Sequence, residues 1–130
     1  MTWHRDLADA LGGLVAAEGT FTVARTTGAR GFTRSSFTFA VMLGSADRTT
    51  VELLRDVLGV GRIRLYQRRR EHHDDAVVFA VRAFADLLDV VVPFMDEHLP
   101  HSYKREQYLR WRAELLTYDR IRRQRRNAVE

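Results

Sequence analysis

At 130 residues the chain is one domain, large enough for a core, and with 45% hydrophobic and 29% charged residues it has the balance of an ordinary globular protein. No cysteine is present, which excludes disulfides and thiolate metal sites, and no run of about 18 apolar residues is available to span a membrane. Of the net charge of +4, five arginines between Arg120 and Arg126 set against Asp119 and Glu130 supply +3, with a second cluster at Arg62, Arg64, Arg68, Arg69 and Arg70.

Asp6 to Ala17 reads as the first helix, with Asp6 or Asp9 near its start and Gly19 ending it. Gly12, Gly13, Ala16 and Ala17 leave it nearly bare of side chains on one face. Glycine inside a helix costs about 1 kcal/mol against alanine, so two in succession need a reason, and close approach of another backbone is one. Thr20 to Thr26 alternates, with Phe21 and Val23 on one side and Thr20, Thr22, Ala24 and Thr26 on the other. A glycine-rich turn follows, and alternation resumes from Arg34 to Met42, with Phe37, Phe39 and Val41 opposed to Ser36, Thr38 and Ala40. These segments form a hairpin with one apolar and one small polar face.

Ser45 is the expected N-cap of a helix from Ala46 to Leu58, with a stripe of Val51, Leu54, Val57 and Leu58 and a stop at Gly59. Gly61 to Arg68 is the next strand, with Ile63 and Leu65 inward and Arg62, Arg64, Tyr66 and Arg68 outward. After a polar turn from Arg70 to Asp74, Ala76 to Arg82 is an apolar strand. A helix from Phe84 to Glu97 should break or kink at Pro93. Ser102 caps a last helix bearing Tyr108, Trp111, Leu115 and Ile121, which trails into an arginine tail expected to fray. Residues 1–118 are thus one domain and 119–130 a basic tail. The order describes an α+β fold, a four-stranded antiparallel sheet with helices on one face and a polar, arginine-bearing face left open. Arginine suits bidentate phosphate and guanine contacts, whereas a merely solvated basic face is the plainer reading.

Leu11, Gly13, Leu14, Ala17 and Gly19 match the signature string of the LAGLIDADG homing endonucleases letter for letter, and Glu18 takes the place of its last acid. Gly12, Val15 and Ala16 depart from it. The chain resembles that family also in its αββαββα order, in Leu58, Gly59, Val60 and Gly61, in Pro93 and Phe94, and in Lys104 and Arg105. The resemblance implies a homing-endonuclease-like domain plus a C-terminal helix, acting on double-stranded DNA, with Glu18 as the catalytic, metal-binding carboxylate. Mg²⁺ is the expected cofactor, with Mn²⁺ or Ca²⁺ as alternatives, and the backbone carbonyl of Ala17 or Gly19 could add a ligand. Lys104 matches the basic residue near each reaction centre. Leu43 stands near where the family has a polar residue, with Ser45 and Asp47 just beyond.

One signature in the sequence, and cleavage of two strands, imply a homodimer meeting along Leu11, Gly12, Gly13, Ala16 and Ala17. Side chains expected on DNA are Thr22, Ala24, Thr26, Arg34, Ser36, Thr38, Arg62, Arg64, Tyr66 and Arg68, with Arg25, Arg30, Arg69, Arg70 and the tail on phosphates. No membrane partner and no small-molecule substrate are expected, and the location expected is cytoplasmic, nucleoid-associated; no secretory signal stands at Met1 to His4. Two other readings stand beside this: a non-cleaving DNA- or RNA-binding regulator or intron maturase on the same fold, favoured by Leu43, and a partner-binding domain without nucleic acid. His72 with His73, and His98 with His101, lack further ligands at the spacing of a structural zinc site.

Overall fold

The computed structural model describes residues 3–31, 33–67 and 75–129. Helix α1 (Arg5–Glu18) starts one residue earlier than the alternation of side chains suggests, because the His4 ring accepts from the Leu7 N–H at 3.4 Å. It buries Ala8, Leu11, Gly12 and Val15. Gly19 does not turn left-handed but is extended, at φ −76° and ψ 155°, so the helix passes directly into strand β1 (Gly19–Thr27). Strand β2 (Thr33–Gly44) pairs antiparallel with β1 from Gly19↔Val41 to Thr27↔Thr33.

A 3₁₀ turn, Ser45–Asp47, precedes α2 (Arg48–Leu58). Ser45 does not cap the helix. No side-chain cap bond forms at either element, and the Ser45 N–H instead donates to the Asp75 carbonyl at 2.8 Å, tying the turn to the next strand pair. Gly59, at φ 74°, supplies the left-handed C-cap that ends α2. Strands β3 (Arg62–Tyr66) and β4 (Ala76–Val81) complete a four-stranded antiparallel sheet in the order β1-β2-β4-β3. The expected turn from Arg70 to Asp74 falls outside the described residues apart from its flank.

Helix α3 (Phe84–Asp86), a π turn (Leu87–Val91) and α4 (Val92–His98) run on from one another. The irregularity sits before Pro93 rather than at it, where the ring crowds the carbonyl four residues back and the missing N–H leaves that carbonyl without a helical donor. Helix α5 (Tyr103–Val129) is capped as expected, the Ser102 hydroxyl accepting from the Arg105 N–H at 3.1 Å. The arginine-rich segment expected to fray continues α5 without a break.

The core lies between the helices and one sheet face, where Phe37, Phe39, Val41, Phe79 and Val81 meet Leu11, Val15, Leu54, Leu87, Tyr108 and Trp111. Phe21 stacks on Phe39 at 5.2 Å and touches Tyr108 and Trp111 at 5.1 Å each. Each such buried side chain contributes about 1.5–3 kcal/mol. Leu65 is the exception to the expected alternation: it points to the helix side yet is 52% exposed, because β3 is an edge strand whose far end no helix covers. The Tyr108 hydroxyl donates to Asp96 Oδ1 at 2.6 Å, and Arg112 Nε pairs with the same carboxylate at 3.0 Å. Burial first, then the bond to Asp96, pushes the Tyr108 phenol well above its ordinary value.

Candidate nucleic-acid interface

The strand registers lay out the uncovered sheet face row by row. Thr20, Ala40, Ala80 and Arg62 lie across one row; Met42, Val78 and Arg64 follow, then Gly44, Ala76 and Tyr66. On the β1–β2 side, Thr22 faces Thr38, Ala24 faces Ser36 and Thr26 faces Arg34. The middle of this face is floored by Ala40, Ala80, Gly44, Ala76 and Val78 around an exposed Met42, with hydroxyls along one edge and two exposed arginines and a 47%-exposed tyrosine along the other. Four strands at about 4.8 Å spacing put the outer two roughly 14 Å apart, close to the ~12 Å width of a major groove. The expected face residues Thr22, Ala24, Thr26, Arg34, Ser36, Thr38, Arg62, Arg64 and Tyr66 are brought together on it.

Arg25 is not among them. It shares the parity of Phe21 and Val23, so it points to the helix side, where it forms an ion pair with Glu114 of α5. Its side chain remains more than half exposed there. Arg30 is exposed in the turn between β1 and β2. Arg68, Arg69 and Arg70 lie outside the described residues.

Glu18 is exposed at the end of α1 and lines a depression with Met42, Leu43, Gly44, Asp47, Asp75 and Ala76. The register explains the company it keeps: Gly19 stands opposite Val41, so the end of β2 runs on past Glu18, and the Gly44↔Ala76 pair carries Asp75 in beside it. Asp47 was noted in the sequence only as a neighbour of Leu43, and Asp75 was missed. No local pattern signals Asp75, whose place depends on the pairing of Gly44 with Ala76 across the sheet. Leu43 is half-buried and packs against the core rather than presenting a polar group.

Among the described residues, no group of three or more carboxylate or imidazole side chains stands close enough to hold a metal ion. The donor chemistry nonetheless fits a hard divalent cation: carboxylate oxygens, with Ala17 in the last helical turn, whose carbonyls lack downstream helical N–H partners. Such an ion would need further oxygens from outside the protomer. Lys104 is half-buried in a separate depression, with Thr20 to Val23 of β1 and Gln107, Arg110, Trp111 and Glu114 of α5. Glu18 and Lys104 therefore do not share one lining.

The small residues of α1 divide between two faces. A β-carbon on Gly12 would stand 1.9 Å from the His98 carbonyl oxygen, so Gly12 is committed to close packing on the end of α4. Leu11 belongs to the core. Neither offers surface to a second chain, which corrects their expected place in a dimer contact; Ala16 is half-buried against the core as well. Ala10, Gly13 and Ala17 are exposed, and a β-carbon on Gly13 would meet nothing within 4 Å. His98 is buried and its Nδ1 lies 2.7 Å from Asp9 Oδ1, joining α4 to α1, while His101 is exposed. His72 and His73 lie outside the described residues. Arg105 Nη1 donates to the Met95 carbonyl at 3.2 Å and also to that of Leu99, and Nη2 donates to the Asp96 carbonyl at 3.3 Å, closing the end of α4.

The family model described as LAGLIDADG endonuclease matches residues 11–115. Among solved structures, the meganuclease I-SmaMI bound to uncleaveable DNA superposes with a TM-score of 0.77 at 21% identity, covering 88% of this chain and 38% of that one. The homing endonuclease I-TnaI gives 0.72 at 24% identity, covering 87% and 74%. I-SmaMI bound to uncleaved DNA in the presence of calcium ions gives 0.72 at 20%, covering 86% and 37%. This chain thus spans little more than a third of the length of I-SmaMI. At these identities the likeness is one of fold. Among curated proteins, no sequence matches the chain.

Proposed function

Because the chain belongs to the LAGLIDADG endonuclease family, we propose that two copies of it form a site-specific double-strand DNA endonuclease that depends on a divalent cation at paired Glu18 carboxylates. The observation that carries this reading is the position of Glu18. It is exposed where the Ala10, Gly13 and Ala17 stripe of α1 ends and the uncovered sheet face begins. Two such stripes can meet only about a two-fold axis, as an isologous contact, and that places the two Glu18 side chains together beside the DNA-facing strands. The lengths of the relatives agree: this chain spans 74% of I-TnaI but 38% of I-SmaMI, which leaves room in the latter for a second such unit.

Glu18, a carbonyl of Ala17 or Gly19, and oxygens of the partner and of DNA would hold the ion, in a depression that Asp47 also lines. A bound Mg²⁺, Mn²⁺ or Ca²⁺ ion supplies charge neutralisation and, for the first two, an activated water at the scissile phosphate. Without it the two Glu18 carboxylates repel each other and the DNA backbone. Lys104 serves the phosphate charge from the β1 edge. Thr22, Thr38, Ser36, Arg64 and Tyr66 read base edges, and Arg34, Arg62 and Arg30 fix the backbone.

Incubation with a randomised duplex pool and Mg²⁺ yields discrete products under this reading, and Glu18→Gln binds the same sequences without cutting. A protein that remains monomeric at high concentration, alone and on duplex, refutes it. Leu43 keeps one other reading in play, a binding protein on this fold that does not cleave; it is distinguished by the absence of any Mg²⁺-dependent heat or change in thermal stability that Glu18→Gln removes.

A further inference from the structure

Beyond the paired part of the sheet, residues 33–38 of β2 run with β1 alone, because the β2–β4 register stops at Phe39↔Val81. The start of α3 and the far half of α5 fill the space beside that stretch. Phe37, Phe84 and Tyr118 make an aromatic floor there, with ring centroids 5.6 to 6.1 Å apart. The Arg122 guanidinium lies over it, 4.8 Å from the Phe84 ring centre and 5.8 Å from that of Tyr118. Arg34 of β2 and Arg82, directly after β4, complete a depression of about 310 Å³ that also includes Ser35 and Ser36.

Three guanidinium groups and no carboxylate line this space. Arg25, Arg48, Arg55, Arg112 and Arg123 each pair with an acid; among the described residues, Arg34, Arg82 and Arg122 pair with none. Asp89 and Asp119 lie beyond Arg122 in the adjoining depression, and Asp119 is taken up by Arg123. Three like charges around one depression, with no carboxylate among its lining residues, favour an anion there. Stacking keeps Arg122 in place at less entropic cost than a free side chain, with its donor edge left for bidentate contact. Arg34 and Arg82 lie within the span of the family match, whereas Tyr118 and Arg122 lie beyond its end at residue 115.

We infer that Arg34, Arg82 and Arg122 form a phosphodiester-binding pocket that grips the backbone of duplex DNA at the outer end of the sheet, with the extension of α5 as its wall. The inference rests on the proposed function in one respect, that the uncovered sheet face meets DNA. Its test is the salt dependence of binding to a random-sequence duplex, without divalent cation, followed by fluorescence anisotropy. Each phosphate neutralised contributes about 0.9 to the slope of log K against log salt. Arg82→Gln/Arg122→Gln should therefore bind with a slope shallower by about 1.8, and Arg122→Gln alone by about 0.9. Arg48→Gln/Arg55→Gln removes the same charge from α2, where both arginines are already paired, and serves as the control. All four arginines are solvent-accessible, and circular dichroism melts establish that the variants are folded. A double variant that behaves as the control overturns the pocket while leaving the endonuclease reading intact. A wild-type slope near zero overturns both.

Discussion

Alanine at two adjacent positions should produce opposite outcomes. At Gly12 the added β-carbon falls 1.9 Å from the His98 carbonyl oxygen and 2.7 Å from its carbon. Non-bonded heavy atoms rest at about 3.5 Å or more, so α1 and α4 must part by over an ångström, and both sides of the clash are backbone that no rotamer change can move. Overpacking costs about 1–3 kcal/mol and occasionally more; an overlap with backbone at 1.9 Å belongs at the upper end, which leaves about 2 kcal/mol of loss after the ~1 kcal/mol that alanine returns in helix propensity. Gly12→Ala should lower Tm by several degrees, at about 4 °C per kcal/mol for a domain of this size. At Gly13 nothing stands within 4 Å, so Gly13→Ala should stabilise the separate protomer by about 1 kcal/mol. If the proposed dimer forms along this stripe, the same change adds two methyl groups at the axis. A penalty of about 1–3 kcal/mol there weakens dimerisation by roughly 5- to 150-fold. Sedimentation equilibrium gives the dimer constant, and melts over a concentration series separate the two effects, because the Tm of a dimer depends on concentration. Gly12→Ala as stable as the wild type, or Gly13→Ala dimerising as well as it, would show the division of faces to be wrong.

Glu18→Gln should keep or strengthen DNA binding at low salt while abolishing cleavage of the selected target; retained cutting moves the metal site elsewhere. Arg64→Ala should relax base preference at one position by about 1–3 kcal/mol, read from selection on a random pool. Arg25→Ala, by contrast, should leave both preference and salt slope unchanged and cost at most about 1 kcal/mol of stability, since its partner is Glu114 on an exposed surface. Tyr108→Phe removes the hydroxyl held by Asp96 and should cost about 1 kcal/mol at neutral pH. The folded Tyr108 titrates above the ordinary value of 10.0, so the stability tied to its proton is complete below that pH and lost as pH climbs past it. Denaturant melts from neutral to strongly alkaline pH should show the gap between wild type and variant narrowing above about pH 10; a constant gap contradicts the assignment.

The strands were legible because a period of two is a local property. Phe21 with Val23, and Phe37 with Phe39 and Val41, point inward as their alternation requires. The same rule puts Arg25 on the side of Phe21 and Val23, where the structure pairs it with Glu114 of α5. What depended on pairing across the sheet was not legible. Asp75 joins Glu18 only through the β2–β4 register, and Arg34 and Arg82 meet Arg122 only because β4 stops short of β2 and α5 continues past the domain boundary drawn at residue 118. Ser45 is not the cap because a 3₁₀ turn, Ser45–Asp47, intervenes and α2 starts only at Arg48; the turn is tied by the Ser45 N–H to the Asp75 carbonyl just ahead of β4, a partner no local pattern announces.

Gly12 and Gly13 repay closer comparison, since successive residues on a helix lie about 100° apart and cannot serve the same neighbour. Taken as one bare patch, Gly12, Gly13, Ala16 and Ala17 form two ridges of spacing four, Gly12 with Ala16 and Gly13 with Ala17. The first is turned toward α4 and the core, the second toward solvent. Helix α1 is thus held within its own protomer by backbone-to-backbone contact at Gly12, by the Asp9–His98 bond, and by Ala8, Leu11 and Val15 in the core. A helix fixed on that side cannot roll about its axis, which settles where Glu18 emerges relative to β2 and the sheet. Paired carboxylates at a two-fold axis need that fixity, since a rotation of α1 by one residue would swing Glu18 through about 100° and away from any shared ion. The inward glycine therefore contributes to the proposed chemistry as much as the outward one, by holding still the helix whose last side chain is the proposed metal ligand.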